Sequence, residues 1–139
     1  MKHYLLDTSA LLALWEDEPG AARVAELLKK AARTEAVCHA AFMSRMELTY
    51  RLWRDEGPDR ALLAYEKCRA LPLNWIEFDE RVLLAAASIK AQHPLSVADA
   101  WIAASAQHVG AILIHKDPEF TQLKLRQEML PPKEKRRSP

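Results

Sequence analysis

The sequence predicts a three-layer α/β/α fold, in which helices cover both sides of a central, mainly parallel sheet of four to five strands. Short apolar runs alternate with stretches whose apolar residues recur at helical spacing, a pattern typical of parallel strands joined by helices. The run at 111–114 is apolar without interruption, as in strands buried on both faces. The chain has 139 residues, of which 50% are hydrophobic, and this length fits one domain with a buried core.

The first half of the chain begins with an apolar strand. Asp7, which follows it, belongs to the residue types that cap helix N-termini. Pro19 and Gly20 then separate two helices. The elements predicted in this half are a strand at 3–6, helices at 10–15 and 21–32, a strand at 35–39 and a helix at 42–55.

The long helix of this half carries Phe42, Met46, Thr49 and Trp53 at the spacing of one helical stripe. This periodicity predicts that the stripe faces the core or a dimer interface. Glu47 lies beside the stripe rather than opposite it, so we expect its side chain at the rim of the core.

The second half is punctuated by helix breakers and caps. Pro72 and Pro94 end helical stretches, Asp79 and Ser96 cap the helices that follow, and Gly110 closes the last long helix. The elements predicted here are helices at 58–71, 82–90 and 96–108, strands at 73–78 and 111–114, a short helix opening at Asp117 and Pro118, and an edge strand at 129–130. We therefore expect one domain over residues 1–130, followed by a basic, proline-flanked, frayed tail at 131–139.

Composition excludes several chemistries. The chain has three glycines, so the closely spaced glycines of dinucleotide-binding, P-loop and nucleophile-elbow motifs are absent. The cysteines, Cys38 and Cys68, form no CxxC pair, which predicts reduced thiols rather than a disulfide scaffold or a zinc site. The histidines show no HxxxH or HExxH spacing, which argues against a zinc hydrolase.

Charge and hydropathy limit the expected partners. No apolar run approaches the roughly 18 residues of a membrane span, and Asp7 interrupts the N-terminus before the apolar core of a signal peptide forms. The protein is therefore expected to be cytoplasmic, with no membrane partner. The formal net charge is +1, so a nucleic-acid partner would have to bind a local basic patch.

Four carboxylates are candidates for chemistry: Asp7, Glu47, Asp99 and Asp117. Asp7 and Asp117 both follow predicted parallel strands, and ligands of such sheets bind at the carboxyl edge. Each acid also has a purely structural interpretation, because the three aspartates suit helix caps and Glu47 stands four residues before Arg51, the spacing of a surface ion pair. Position alone does not separate the two interpretations.

The combination of these acids resembles the PIN-domain family. Residues 5–12, LLDTSALL, are similar to the opening of that family, and Glu47 within 44–48, SRMEL, is similar to its mid-chain helical glutamate. Residues 96–104, SVADAWIAA, resemble its most recognisable segment, and 112–120, ILIHKDPEF, resemble its last acidic motif. The resemblance covers residues 1–130 in order, and the compact length is most similar to VapC-type toxins, the nucleases of toxin–antitoxin pairs.

The resemblance implies a Mg²⁺- or Mn²⁺-dependent endoribonuclease that leaves a 5′-phosphate and a 3′-hydroxyl. It also implies an RNA substrate, a small antitoxin partner and a homodimer. Converging carboxylates repel one another, and a divalent cation with oxygen ligands relieves that repulsion. The hypothesis is that Asp7 and Asp99 hold the principal ion, with Asp117 direct or through water, while Glu47 orients a water molecule or helps a second ion.

Two further residues are expected to support the acids. Ser9 is a candidate hydrogen-bond donor to a carboxylate, with a helix cap as the alternative. His115 departs from the family pattern, because many members carry a small hydroxyl residue two positions before the last aspartate. We assign His115 a structural role beside Asp117, with phosphate contact as the alternative.

Contact with RNA must come from local cations. Arg45, Arg51 and Arg54 lie on the helix that carries Glu47, Lys116 stands next to the last aspartate, and the tail adds basic residues over 133–137. A cluster of this kind makes binding fall with salt. A solvated helix face is the alternative for any single arginine.

Other functions compete with the toxin hypothesis. One alternative is a PIN nuclease of RNA processing or decay, which would have the same enzymatic activity but would not be a toxin. A catalytically silent PIN-like binding or assembly module keeps only the fold, although retention of all four acids argues against it. A phosphoacceptor receiver domain needs an acidic pair near Asp7 and an aspartate after the second strand, and a haloacid-dehalogenase-type phosphatase needs DxD; the sequence supplies neither.

Overall fold

A computed structural model describes residues 1–133 and contains a five-stranded sheet. The strand order is β3-β2-β1-β4-β5, and every pair is parallel. The predicted three-layer α/β fold with a parallel sheet is therefore confirmed. The strands are β1 (His3–Leu6), β2 (Val37–Ala41), β3 (Asn74–Ile76), β4 (Ile112–His115) and β5 (Gln127–Met129).

Helices connect the strands and lie where the sequence predicts them, with ends that differ by a few residues. The helices are α1 (Thr8–Trp15), α2 (Ala21–Ala32), α3 (Phe42–Glu56), α4 (Pro58–Arg69), α5 (Glu80–Gln92) and α6 (Val97–His108), and a 3-10 helix spans Pro118–Gln122. The predicted caps at Asp7, Asp79, Ser96 and Asp117 each accept a hydrogen bond from a backbone N–H of the helix that follows. No helix within residues 1–133 combines the length and apolar character needed to cross a bilayer.

The sheet is buried on both faces. Along β1, Tyr4 and Leu6 contribute to one core cluster, whereas Leu5 contributes to the other. Because side chains alternate between the faces of a strand, the two clusters lie on opposite sides of the sheet. The first contains buried residues of α1 to α4, and the second contains residues of α6 and Phe120 of the 3-10 helix.

One prediction about α3 is wrong: the stripe of Phe42, Met46, Thr49 and Trp53 does not face the core. Met46 is 55% exposed and Trp53 50% exposed. The buried positions of this helix are Ser44, Leu48 and Leu52, which form another stripe at helical spacing. Ser44 is fully buried, and its hydroxyl has a hydrogen-bond partner in Thr8 Oγ1 at 3.0 Å. This contact satisfies the polar group, so the stripe that contains Ser44 can face the core.

The outward stripe of α3 lines an open apolar groove instead. This α3–α4 groove has a volume of about 750 Å³, and Leu62 and Tyr65 of α4 form its other wall. A dimer interface is the other location predicted for this stripe, and nothing in the structure tests that prediction.

The end of the chain is described only in part. Leu130 is buried, and its N–H donates to the carbonyl of His115 at 2.7 Å, so the chain is held to the sheet just after β5. Residues 134–139, which make up most of the predicted basic tail, lie outside the described residues.

Candidate active site

The structure brings the four predicted carboxylates to one pocket at the carboxyl edge of the sheet. Asp7 follows β1, Asp117 follows β4, Asp99 lies in the first turn of α6 and Glu47 lies on α3. The pocket has a volume of about 230 Å³ and is also lined by Thr8, Ser9, Arg51, Ser96, Lys116 and Pro118. The strand order places β1 beside β4, which explains why the acids of distant sequence positions meet.

Asp7 is held in place from two sides. It is 3% exposed. Its Oδ1 accepts the N–H of Ala10 at 2.8 Å, and the hydroxyl of Ser9 lies 2.7 Å from Oδ1 and 2.9 Å from Oδ2. Burial raises the pKa of Asp7 to about 7, the two hydrogen bonds oppose this, and the charges of Asp99 and Asp117 add to the rise. Asp7 is therefore both a helix cap and a pocket carboxylate.

Glu47 is positioned by a residue that the sequence analysis missed. Thr8 Oγ1 donates to Glu47 Oε1 at 2.7 Å, and it also lies 3.0 Å from the hydroxyl of Ser44. These contacts join α1 to α3 beneath the pocket. The alternative surface pair between Glu47 and Arg51 does not form within residues 1–133, since no bond of 4.0 Å or less joins the two.

Asp99 and Asp117 form a tight acidic cluster with a third carboxylate. Oxygens of Asp99, Asp117 and Glu119 all lie within 4.8 Å of one another. Burial raises the pKa of Asp99 to about 6, and the charges of Asp117 and Glu47 raise it further. Glu119 is a second missed residue: the signal was an acid two positions after Asp117, which the 3-10 helix turns back toward it.

Ser9 and His115 lie beneath these acids. Ser9 Oγ accepts the N–H of Lys116 at 3.0 Å while it donates to Asp7, so it connects the residues after β1 with those after β4. His115 is fully buried; its Nδ1 accepts the N–H of Asp117 at 3.1 Å, and its Nε2 lies 2.8 Å from Gln127 Oε1. Burial lowers the pKa of His115. Since Gln127 Oε1 is an acceptor, the neutral ring carries its proton on Nε2.

Two of the cations predicted to contact RNA are already paired. Arg45 donates to both oxygens of Glu77 at 2.7 and 2.8 Å. The Nζ of Lys116 lies 2.9 Å from the carbonyl of Pro19 and 3.5 Å from Glu18, and its side chain is 8% exposed. These contacts occupy donors of both side chains, although Lys116 remains among the residues that line the pocket. Their predicted contact with RNA stays a prediction.

The donor set fits a hard divalent cation. The described pocket offers carboxylate oxygens and hydroxyl groups and no histidine or cysteine, which is the chemistry that Mg²⁺ and Mn²⁺ favour. Adjacent ligands of Mg²⁺ are about 3 Å apart and opposite ones about 4.2 Å, so the oxygens of Asp99, Asp117 and Glu119, which lie within 4.8 Å of one another, would move closer together to share one ion. The raised pKa values of Asp7 and Asp99 have the same first cause, burial, and the charges of the neighbouring carboxylates add to it.

Fold and pocket together define a class: three-layer α/β proteins with a cluster of carboxylates where the parallel strands end. The model of the PIN domain family matches residues 4–125, so the chain belongs to the PIN domain family. The resemblance inferred from its four motifs is confirmed.

Solved structures share the whole fold. The chain is similar to the complex VapBC2 from Rickettsia felis bound to a DNA fragment from its promoter, with a TM-score of 0.75, 15% identity and coverage of 93% of this chain and 99% of that chain. It is also similar to DNA-bound VapBC from Salmonella typhimurium, with a TM-score of 0.74, 21% identity and coverage of 93% and 98%.

An archaeal protein shares the fold as well. PAE2754 from Pyrobaculum aerophilum matches with a TM-score of 0.63, 23% identity and coverage of 91% of this chain and 83% of that chain. At these identities the likeness establishes the fold alone. The predicted resemblance to VapC-type toxins is therefore confirmed at the level of the fold. None of the curated proteins matches the chain.

Proposed function

We propose that the chain is a divalent-metal-dependent endoribonuclease, and that it is the toxin of a toxin–antitoxin pair. The observation that carries the proposal is the convergence of Asp7, Glu47, Asp99 and Asp117 on one pocket in a chain of the PIN domain family. Like charges held close together repel one another. Asp7 is buried and the other three acids are half-buried, and no basic side chain within residues 1–133 forms an ion pair with any of the four.

Asp7, Asp99 and Asp117 would hold the cation, and Glu119 lies close enough to join them. When bound, Mg²⁺ or Mn²⁺ would supply positive charge that offsets the phosphate's negative charge and acidifies water. The hydroxyl of Ser9, which lies 2.7 and 2.9 Å from the two oxygens of Asp7, orients this carboxylate and favours its ionised form. The cation would therefore bind between the acids that follow β1 and β4 and the acid in the first turn of α6.

Glu47 is suited to orient the attacking water. Its Oε1 accepts from Thr8, which leaves Oε2 without a partner among the described residues. A carboxylate oxygen in that state accepts a hydrogen bond from water and takes up its proton when water adds to the phosphorus. The bond from phosphorus to the 3′ oxygen then breaks, and the 3′ oxygen takes up a proton from a solvent water, which leaves a 3′-hydroxyl and a 5′-phosphate.

The biological assignment rests on the likeness to VapBC proteins. The chain covers 99% and 98% of two VapBC chains and has a closely similar fold. This supports a small antitoxin as the partner, whereas RNA as the substrate and a homodimer as the assembly are proposed from the family resemblance. The nuclease domain then comprises residues 1–130, with the basic segment 131–139 as an accessory to RNA binding.

The first experiment measures cleavage of labelled, structured RNA by the purified chain in Mg²⁺, Mn²⁺ or EDTA. Asp7→Asn and Asp99→Asn are each expected to lower the rate by about 100-fold or more. Asp79→Asn is the matched control, because Asp79 caps α5 as Asp7 caps α1 but does not line the pocket. Cutting that survives EDTA or both site variants would disprove the assignment. Absence of cutting by a chain free of antitoxin would favour a binding module.

A second experiment separates a toxin from an RNA-processing nuclease. Induced expression of the chain in a bacterial host is expected to arrest growth, and Asp99→Asn is expected to relieve the arrest. If the purified chain cuts RNA but its expression leaves growth unchanged, the RNA-processing role replaces the toxin role.

A further inference from the structure

A polar groove adjoins the acidic pocket and shares residues with it. The polar groove has a volume of about 470 Å³ and extends from Ser9 past Arg51 and Arg54 to Lys133. Ser9, Arg51 and Lys116 line both the pocket and the groove. A strand with one phosphate at the carboxylates therefore passes Arg51 when it enters the groove.

Most cations along this groove are occupied by carboxylates. Arg54 Nε donates to Asp55 at 3.1 Å, whereas Lys116 and Lys133 lie 3.5 and 3.4 Å from oxygens of Glu18. Each of these three side chains therefore already has an anionic partner, with which a phosphate would compete.

Arg51 differs from these neighbours. It stands one turn after Glu47 and one turn before Asp55, yet within residues 1–133 its guanidinium has neither an ion pair nor a hydrogen bond. Glu47 is taken by Thr8, and Asp55 by Arg54. The half-buried guanidinium thus keeps its donors free at the junction of pocket and groove.

From this placement we propose that Arg51 binds a phosphate of the RNA strand next to the bond that is cut. The inference rests on the proposed ribonuclease function. The planar guanidinium donates two parallel hydrogen bonds to a phosphate. A cation at the rim also offsets the repulsion that the acidic pocket exerts on an RNA backbone. Arg51 is therefore a substrate-positioning residue that acts beside the carboxylates.

The test compares Arg51→Gln with Arg60→Gln in binding and cutting a fluorescein-labelled single-stranded RNA. Arg60 is an exposed arginine on α4 that lines neither pocket nor groove, so both variants lose the same net charge. Binding is measured by fluorescence anisotropy in an Asp99→Asn background, and KM and kcat are measured without that substitution. Arg51→Gln is expected to raise Kd and KM about tenfold or more, and Arg51→Lys to recover part of the loss.

Salt dependence gives a second readout. Loss of one phosphate contact is expected to reduce the slope of log K against log salt by about 0.7 for a single strand, and Arg60→Gln is expected to leave the slope unchanged. The melting temperature of Arg51→Gln is expected to equal that of the unsubstituted chain, because Arg51 has no partner within residues 1–133 to lose. An unchanged melting temperature excludes misfolding as the cause of weaker binding.

The outcomes are distinguishable. If the unsubstituted chain neither binds nor cuts the RNA, the ribonuclease proposal and this inference both fail. If it cuts, and Arg51→Gln matches Arg60→Gln in Kd, KM and salt slope, this inference alone is overturned.

Discussion

At the scale of single residues, Asp7 joins a structural role to a chemical one. Its Oδ1 caps α1 through Ala10, and the same side chain faces Asp99 and Asp117 across the pocket. Burial raises its pKa to about 7, whereas the Ser9 and Ala10 hydrogen bonds act in the opposite direction. Ser9 therefore favours the ionised form of Asp7, which is the form that binds a cation.

Ser9→Ala is expected to weaken metal-dependent cleavage by about 10- to 100-fold, because removing a group that supports a metal-binding carboxylate typically costs this much. The measurement is the Mg²⁺ or Mn²⁺ concentration that gives half-maximal RNA cleavage. Ser88→Ala, which removes an exposed hydroxyl on α5, is the control. The same metal dependence in both variants would contradict the role given to Ser9.

His39 provides a test of pH dependence away from the acids. It is 4% exposed, it accepts from Asn74 Nδ2 at Nδ1, and its Nε2 lies 2.9 Å from His3 Nδ1. Burial and then the charge of His3 lower its pKa from 6.5 to about 4. A lowered pKa means that the unfolded chain binds the proton more readily. The contribution of neutral His39 to the free energy of unfolding is therefore complete above pH 6.5, and it is lost as the pH falls toward 4.

The expected loss of free energy of unfolding from protonation of His39 is at most about 3 kcal/mol. It is measured by urea unfolding between pH 8 and pH 4.5, as the difference between the unsubstituted chain and His39→Gln. His93→Gln, at the end of α5, serves as the control. A difference between the chain and His39→Gln that stays constant with pH would rule out this assignment.

At the scale of elements, prolines, glycines and caps made nearly every helix and strand predictable, because they act locally. The orientation of α3 was not predictable in the same way, since two stripes share its spacing and the buried one contains Ser44. Asp7 and Asp117 were predictable because topology brings strand ends together, whereas Glu47 and Asp99, which lie on helices, were predicted from the resemblance to the PIN-domain family. The bond from Thr8 to Glu47 and the approach of Glu119 were not, because they depend on side-chain direction and on the 3-10 turn.

Two substitutions on α3 distinguish its faces. Leu48 is 2% exposed and Met46 is 55% exposed. Leu48→Ala is expected to lower the free energy of unfolding by about 2–5 kcal/mol, because it leaves a cavity in the core, and Met46→Ala is expected to change it by less than about 0.5 kcal/mol. Urea unfolding of both variants measures the difference. If Met46→Ala lowers the free energy of unfolding by more than about 0.5 kcal/mol, the outward stripe of α3 is buried in solution, as it would be in a dimer.

At the scale of the whole molecule, a net charge of +1 conceals surfaces of opposite character. The acidic pocket lies at the carboxyl edge of the sheet, the polar groove adjoins it at Arg51, and the apolar α3–α4 groove is lined by other residues of the same helix. Carboxylates from β1, α3, α6 and the 3-10 helix repel one another across the pocket. The fold therefore carries an electrostatic cost that a bound cation relieves.

Relief of this cost predicts that Mg²⁺ or Mn²⁺ stabilises the folded chain. A ligand that binds only the folded state at a hundred times its Kd adds about 2.7 kcal/mol, which for a domain of this size raises the melting temperature by on the order of 10 °C. Asp7→Asn and Asp99→Asn are expected to lose most of this rise, and Asp79→Asn to keep it. Thermal unfolding with the cation, compared with NaCl of equal ionic strength, separates binding from screening. An equal rise in the melting temperature of all three variants would mean that the cation binds outside the pocket. The chemistry proposed for these acids would then be wrong.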